Sequence, residues 1–280
     1  MRMDAKELLE RYALGERNFH NADLRGACLR GVNLSGANLK ESDLRGADFT
    51  GASLIRTNLR EANRSQASLQ ADLTEANLIG TNLTGANLSQ AKLWDACLRA
   101  SNLTGANLTG ADLSYALLNE AMLRDADLSH SILLESTLSR GNLINAILVA
   151  ANLQGANLTN AILMGANFQG ANLSHALFNG VNALDVNASQ ADFSQANLSG
   201  ANLTNINLKQ ANLTAAKLTW TILRGADLSQ ANLSQAKLCW SNLTGATLVG
   251  AILVDANLDE TNFDEADLTG VVLVNKKDNK

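Results

Sequence analysis

The sequence predicts an all-β solenoid of short stacked strands, closed at its N-terminal end by one α-helix. Three observations carry that fold class. From Phe19 onward a large apolar residue returns at every fifth position. The residue two places before it is small almost throughout, with Ile206 the clear enlargement. Proline is absent from all 280 residues, as expected where each proline would delete a donor from a ladder. A period of five fits neither the 3.6-residue helix nor the two-residue strand alternation alone. It does fit a short strand plus a turn. Positions two apart on a strand share a face, so the apolar centre and the small residue before it both point inward. The remaining three positions, rich in Asn, Asp, Ser, Thr and Gly, face out or turn the corner.

The N-terminal helix is expected over residues 4–15. Asp4 stands at the cap, and Glu7 three residues later completes a capping-box spacing. Leu8, Leu9, Tyr12 and Ala13 fall on one face at helical period, and Gly15 ends the element. Such a helix can cover the apolar core and unpaired edge at an open β-end. Residues 1–18 therefore read as cap and lead-in, 19–274 as the repeat array and 275–280 as a charged tail.

The beat runs from Phe19 to Leu69 in eleven centres and from Leu73 to Leu273 in forty-one, fifty-two together. One residue is missing around Gln70. Just before it, Arg64 takes a place where leucine is expected. An unpaired guanidinium inside an apolar core costs several kcal/mol, so Arg64 is expected to turn outward, beside a distorted corner.

Composition excludes several functions. Net charge is −5 and aromatics make up 4% of the chain, which offers no general attraction to nucleic acid or anionic lipid. Three scattered cysteines form no disulfide framework. The N-terminus has no apolar run of signal-peptide type and no stretch is long enough to span a bilayer, so a cytoplasmic chain is expected. No His/Cys spacing resembles a metal site, no phosphate-cradling loop is present, and a convex solenoid offers no concavity for convergent titratable groups. The expectation is a non-enzymatic protein without a cofactor.

The A(N/D)LXX beat over residues 19–273 resembles the pentapeptide repeat family. The resemblance implies a right-handed quadrilateral β-helix with four pentapeptides per coil, hence about thirteen coils and a rod roughly 60 Å long at a strand spacing of about 4.8 Å. The opening from Glu7 to Phe19 is also similar to cyanobacterial members, one of which regulates heterocyst differentiation.

With four pentapeptides per coil, further features come into register. Phe178, Ala183, Ala188 and Phe193 become consecutive centres of one layer, in which the phenylalanines, with Val181 and Val186, give back the volume the alanines lack. Arg25 with Arg45, and Lys40 with Arg60, form basic columns diluted by Asp23, Asp43 and Asp48. Trp220 and Trp240 share a turn position one coil apart and should stack. Ile144, Ile162 and Met164 point outward on adjacent coils, beside Ile147 and Val149. These five residues (Trp220, Trp240, Ile144, Ile162 and Met164) are the candidate protein-interaction surface, and Arg64 and Gln70 mark the irregular coil. Val271, Val272, Leu273 and Val274 form an uncapped end that could pair two copies end to end. Asp255, Asp259, Glu260, Asp264, Glu265 and Asp267 make the C-terminal coils acidic.

The function expected is a protein-protein interaction rod or regulatory scaffold, such as a cyanobacterial regulator of cell differentiation, with a protein partner, no direct nucleic-acid binding and no membrane. The family's quinolone-resistance branch implies an alternative, a DNA mimic that binds DNA gyrase. That role calls for long acidic columns, whereas most outward positions here are Asn, Ser, Thr and Gln.

Overall fold

The computed structural model describes residues 3–273. It divides into two compact units, Met1–Asn142 and Leu143–Lys280. Each is built from single-residue parallel β-bridges rather than long strands.

In the first unit, α1 (Ala5–Ala13) is capped by Asp4, whose carboxylate accepts the Glu7 N–H at 2.8 Å. Leu8 is buried, and the Tyr12 hydroxyl donates to the Ser35 carbonyl at 2.8 Å, which pins the helix across a coil corner. Ala13 is exposed, not on the covered face. Successive helical residues turn by about 100°, and with Leu8 and Tyr12 held down, their i, i+4 line excludes it. Gly15, at φ +95°, then reverses the chain.

The coils follow. Asn18 bridges Asn38, Asp23 bridges Asp43, Cys28 bridges Asp48 and Asn33 bridges Ser53. Partners twenty residues apart mean four pentapeptides per turn, so the unit has four ladders. The second unit repeats the pattern, with Ile147 to Asn167, Asn152 to Asn172, Asn157 to Leu177 and Ile162 to Asn182.

One pentapeptide shows why the sequence takes this form. The Asn102 N–H donates to Thr81 O in the previous coil, while the Leu103 and Gly105 N–H groups donate to Met122 O and Arg124 O in the next. Ala106 N–H closes the turn on Leu103 O at 3.0 Å. The Asn102 side chain accepts the Thr104 N–H at 3.1 Å, an Asx turn that favours Asn or Asp before each leucine. At the equivalent Asn82 the Thr84 hydroxyl adds a second donor at 2.7 Å, which favours Ser or Thr after it. Gly105 has φ +63°, in the left-handed region where glycine carries no side-chain penalty.

The core is continuous leucine and alanine within each unit, every centre from Leu24 to Leu59 being buried. In the second unit the Phe178–Ala183–Ala188–Phe193 layer is closed as the volume argument requires. Both alanines are buried, and the phenylalanine rings meet edge-on with centroids 5.5 Å apart.

Arg64 overturns its expectation. It points inward, is 0% exposed, and none of its three guanidinium nitrogens has a hydrogen-bond partner. The backbone explains why. Arg64 N–H donates to Asn82 O at 2.8 Å and Ala67 N–H to Arg64 O at 3.0 Å, as at any centre. The adjoining Asn63 N–H donates to Ser42 O at 3.0 Å, so turning the Arg64 side chain out would break the register with both neighbouring coils. The missing residue is absorbed five positions later instead. Ala71 N–H bonds to Leu69 O at 2.7 Å, a three-residue turn in place of the usual four. Bridges that cross it, such as Ser53 to Asp72 and Asn63 to Asn82, span nineteen residues, and Asp72 to Lys92 returns to twenty.

Candidate interaction surface

The left-handed residue of each turn projects from a corner, and its side chain has the widest access to solvent. Trp220 and Trp240 occupy this place on one corner of the second unit, at φ +61° and +62°. A bulky residue there is uncommon. Trp220 N–H donates to Cys239 O at 3.1 Å and Trp240 N–H to Asp259 O at 3.0 Å, which holds the corners in register. The rings are stacked, with centroids 5.1 Å apart and planes 10° from parallel. They are 63% and 51% exposed, so the pair presents a flat aromatic strip to solvent.

Cations flank the strip. Lys217 bridges Lys237 on the preceding face, and Arg224 stands on the next corner beyond exposed Ile222. Among the described residues none of these three cations forms an ion pair, in contrast to the first unit. There the basic columns are internally neutralised: Arg25 pairs with Asp23 at 2.7 Å, Arg45 with Asp43 at 2.6 Å and Arg56 with Glu75 at 2.7 Å. Arg45 holds the Asp43 carboxyl below its usual range, and Arg56 does the same to Glu75.

Of the apolar candidates, Ile162 is exposed while Ile144 and Met164 are half-buried. The structure adds Leu184 to them, because Asn145 N–H donates to Met164 O and Gly165 N–H to Leu184 O, so that 144, 164 and 184 stack on one corner. Twenty-residue spacing alone could have revealed Leu184. It would not have revealed a second aromatic corner in the first unit, where Trp94 meets Tyr115, twenty-one residues on, edge-on at 5.9 Å.

Arg64 lies over the Phe49 ring, 5.2 Å from its centroid, and burial pushes its pKa well below the ordinary guanidinium value, to about 9. Gln70 is half-buried at the shortened corner and donates to the Ser89 hydroxyl at 3.0 Å. A shallow hollow of about 220 Å³ opens there between Gly51, Gln70, Asp72 and Lys92. At the other extreme, Val272 and Leu273 are exposed, and Val274 lies outside the described residues. Among the described residues no cluster of His, Cys, Asp and Glu could hold a metal ion, and no helix is long and apolar enough to cross a membrane.

Comparison with known proteins identifies the class. The family model described as pentapeptide repeats (8 copies) matches in overlapping or abutting segments from residues 18–54 to 231–270. The chain belongs to the pentapeptide repeat family. Among solved structures it is similar to HetL, a pentapeptide repeat protein involved in heterocyst differentiation regulation from the cyanobacterium Nostoc sp. strain PCC 7120, with 32% identity over 97% of each chain and a TM-score of 0.33. A second Nostoc PCC 7120 pentapeptide repeat protein is 34% identical over 42% of this chain and 82% of its own, with a TM-score of 0.25. QnrB1, a plasmid-mediated fluoroquinolone resistance protein, shares 19% identity over 72% of this chain and 86% of its own, with a TM-score of 0.32. A comparison with curated protein sequences finds no match.

Proposed function

We propose that this protein is a non-enzymatic interaction scaffold of regulatory type, which binds another protein through side chains on the corners of its coils. The observation that carries the reading is the stacked, solvent-facing Trp220–Trp240 pair. Stacked corner indoles offer a large, rigid contact area at little entropic cost, and tryptophan is enriched at interface hot spots. The Ile144–Met164–Leu184 corner with Ile162 offers a second apolar strip in the same unit. The 32% identity to HetL over nearly the whole chain supports a regulatory role of the kind named for that protein. A right-handed path, about thirteen coils and a cytoplasmic location belong to the same proposal.

The test is affinity capture of partners with the wild type and with the Trp220→Ala/Trp240→Ala variant. The scaffold reading predicts a protein retained by the former and lost by the latter. The gyrase-binding alternative has one supporting observation, the exposed acids Asp259, Glu260 and Asp264. A gyrase supercoiling assay decides it, inhibition at sub-stoichiometric protein being the result that would replace the scaffold reading.

A further inference from the structure

The surface around the tryptophans has a charge order along three successive coils of the second unit. The first coil carries Lys217, Trp220, Ile222 and Arg224. The second carries Lys237 and Trp240, with neutral Asn242 and Thr244. The third carries Asp259, Glu260 and Asp264. Backbone bonds fix this stacking: Gly225 N–H reaches Thr244 O at 3.0 Å and Gly245 N–H reaches Asp264 O at 2.8 Å, so Arg224, Thr244 and Asp264 form one column. Trp220, Trp240 and Glu260 form the column beside it. The strip is basic at one end, aromatic in the middle and acidic at the other, and all of its charged side chains are exposed.

Such a strip is complementary to itself. A twofold axis through the Trp240 coil, perpendicular to the coil stack, brings a second copy in antiparallel and keeps each column opposite the same column. This is the self-matching patch that an isologous dimer requires. Arg224 then faces the partner's Asp264, Trp220 faces the partner's Glu260, and Trp240 meets the partner's Trp240. Lys217 lies beside the column that holds the partner's Asp259. A parallel arrangement would set like charges against like.

We infer that the Trp220–Trp240 strip is a self-association surface whose occupant is a second copy of this chain, docked antiparallel. This rests on the reading of the tryptophans as a contact surface and names a second copy as what contacts them; another protein then engages the dimer so formed, and its capture is lost with the tryptophans. Three coils at about 4.8 Å spacing make a patch well below the roughly 800 Å² per partner of a standard interface. The dimer is therefore weak and, because its rim is ionic, sensitive to salt.

Sedimentation velocity on the purified full chain tests this at about 0.5 mM protein in low salt. The wild type is expected to show a dimer that weakens about tenfold or more in high salt. Arg224→Asp and Asp264→Arg should each be monomeric alone, since each sets like charges together. An equimolar mixture should form a heterodimer, because both pairs are then of opposite charge, one in the original sense and one reversed. Circular dichroism checks that each variant is folded, and Trp240→Ala, which alters no charge, serves if one is not; it too should be monomeric. A wild type that stays monomeric overturns the inference. So does a dimer that survives Trp240→Ala but is lost in Leu273→Lys, which would place the contact at the end of the repeat. A wild type that dimerises as expected but captures no other protein would instead refute the scaffold reading alone.

Discussion

Replacing Arg64 by leucine should stabilise the protein. Arg64 is the largest fully buried side chain, surrounded by a leucine core and without a hydrogen-bond partner. The fall of its pKa from the ordinary guanidinium value to about 9, at about 1.36 kcal/mol per unit, corresponds to roughly 5 kcal/mol of desolvation. The contact with Phe49 returns about 1–2 kcal/mol of cation–π attraction. Arg64→Leu removes both and restores the repeat, for a net gain of roughly 3–4 kcal/mol, within the range seen when buried ionic groups give way to apolar ones. The assay is urea denaturation at pH 7, where the midpoint should rise by more than about 1 M. A pH series gives the mechanism. Below about pH 9 the guanidinium is charged in both states and the penalty is full. Above it the unfolded chain holds the proton more tightly than the folded one, so wild-type stability rises with pH relative to the variant. The gap between them should narrow by about 1 kcal/mol per pH unit. An Arg64→Leu protein no more stable than wild type, or a gap independent of pH between 8 and 11, would refute the argument and put the guanidinium in contact with water.

Other outcomes follow from the same geometry. Ala215 holds a left-handed corner at φ +57°, a conformation that costs a non-glycine residue about 1–2 kcal/mol, so Ala215→Gly should raise the thermal midpoint measurably without changing the circular dichroism spectrum. In the phenylalanine layer, Ala188→Leu should destabilise by about 1–3 kcal/mol through overpacking. Adding Phe193→Leu should recover much of that loss, seen as favourable coupling in a double-mutant cycle on urea midpoints. On acidification the first unit should loosen before the second. Asp43, Asp48 and Glu75 have pKa values lowered mainly by hydrogen bonds from Arg45, Thr50 and Arg56, so their contribution is present above the usual carboxylate range and is lost as pH falls through the lowered values. Hydrogen exchange at pH 2–3 against pH 6 should show protection falling more for residues 23–75 than for 200–250.

Much of this fold was legible because each pentapeptide repeats one set of physical demands. The inward pair of leucine and small residue is a strand-face argument, and it placed almost every core residue. The capping Asp4 and the phenylalanine layer were also readable, one from local hydrogen-bond chemistry and one from volume. Arg64 was misread because the cost of burying charge was weighed at one residue, whereas the register of three coils' hydrogen bonds acts on it together. The loss of a residue near Gln70 was visible, but its cheapest remedy, a tighter turn at Ala71, depends on backbone geometry that spacing does not contain. The reason for Asn before each leucine was likewise hidden, since an Asx turn and a β-bridge share that residue.

The surface was legible only where a departure recurred at twenty residues. Trp220 and Trp240 qualified, and their stacking follows from register. Leu184 obeyed the same rule but passes in sequence for an ordinary half-apolar turn residue. The unpaired state of Lys217, Arg224 and Lys237 needed the structure, because it depends on which acids share their corner.

The measurement that bears most directly on the scaffold account is partner capture by wild type and by the Trp220→Ala/Trp240→Ala variant, with circular dichroism confirming an unchanged fold and the protein itself excluded from the readout. The account predicts at least one protein bound by the wild type and absent from the variant. The same set of bound proteins on both would contradict it.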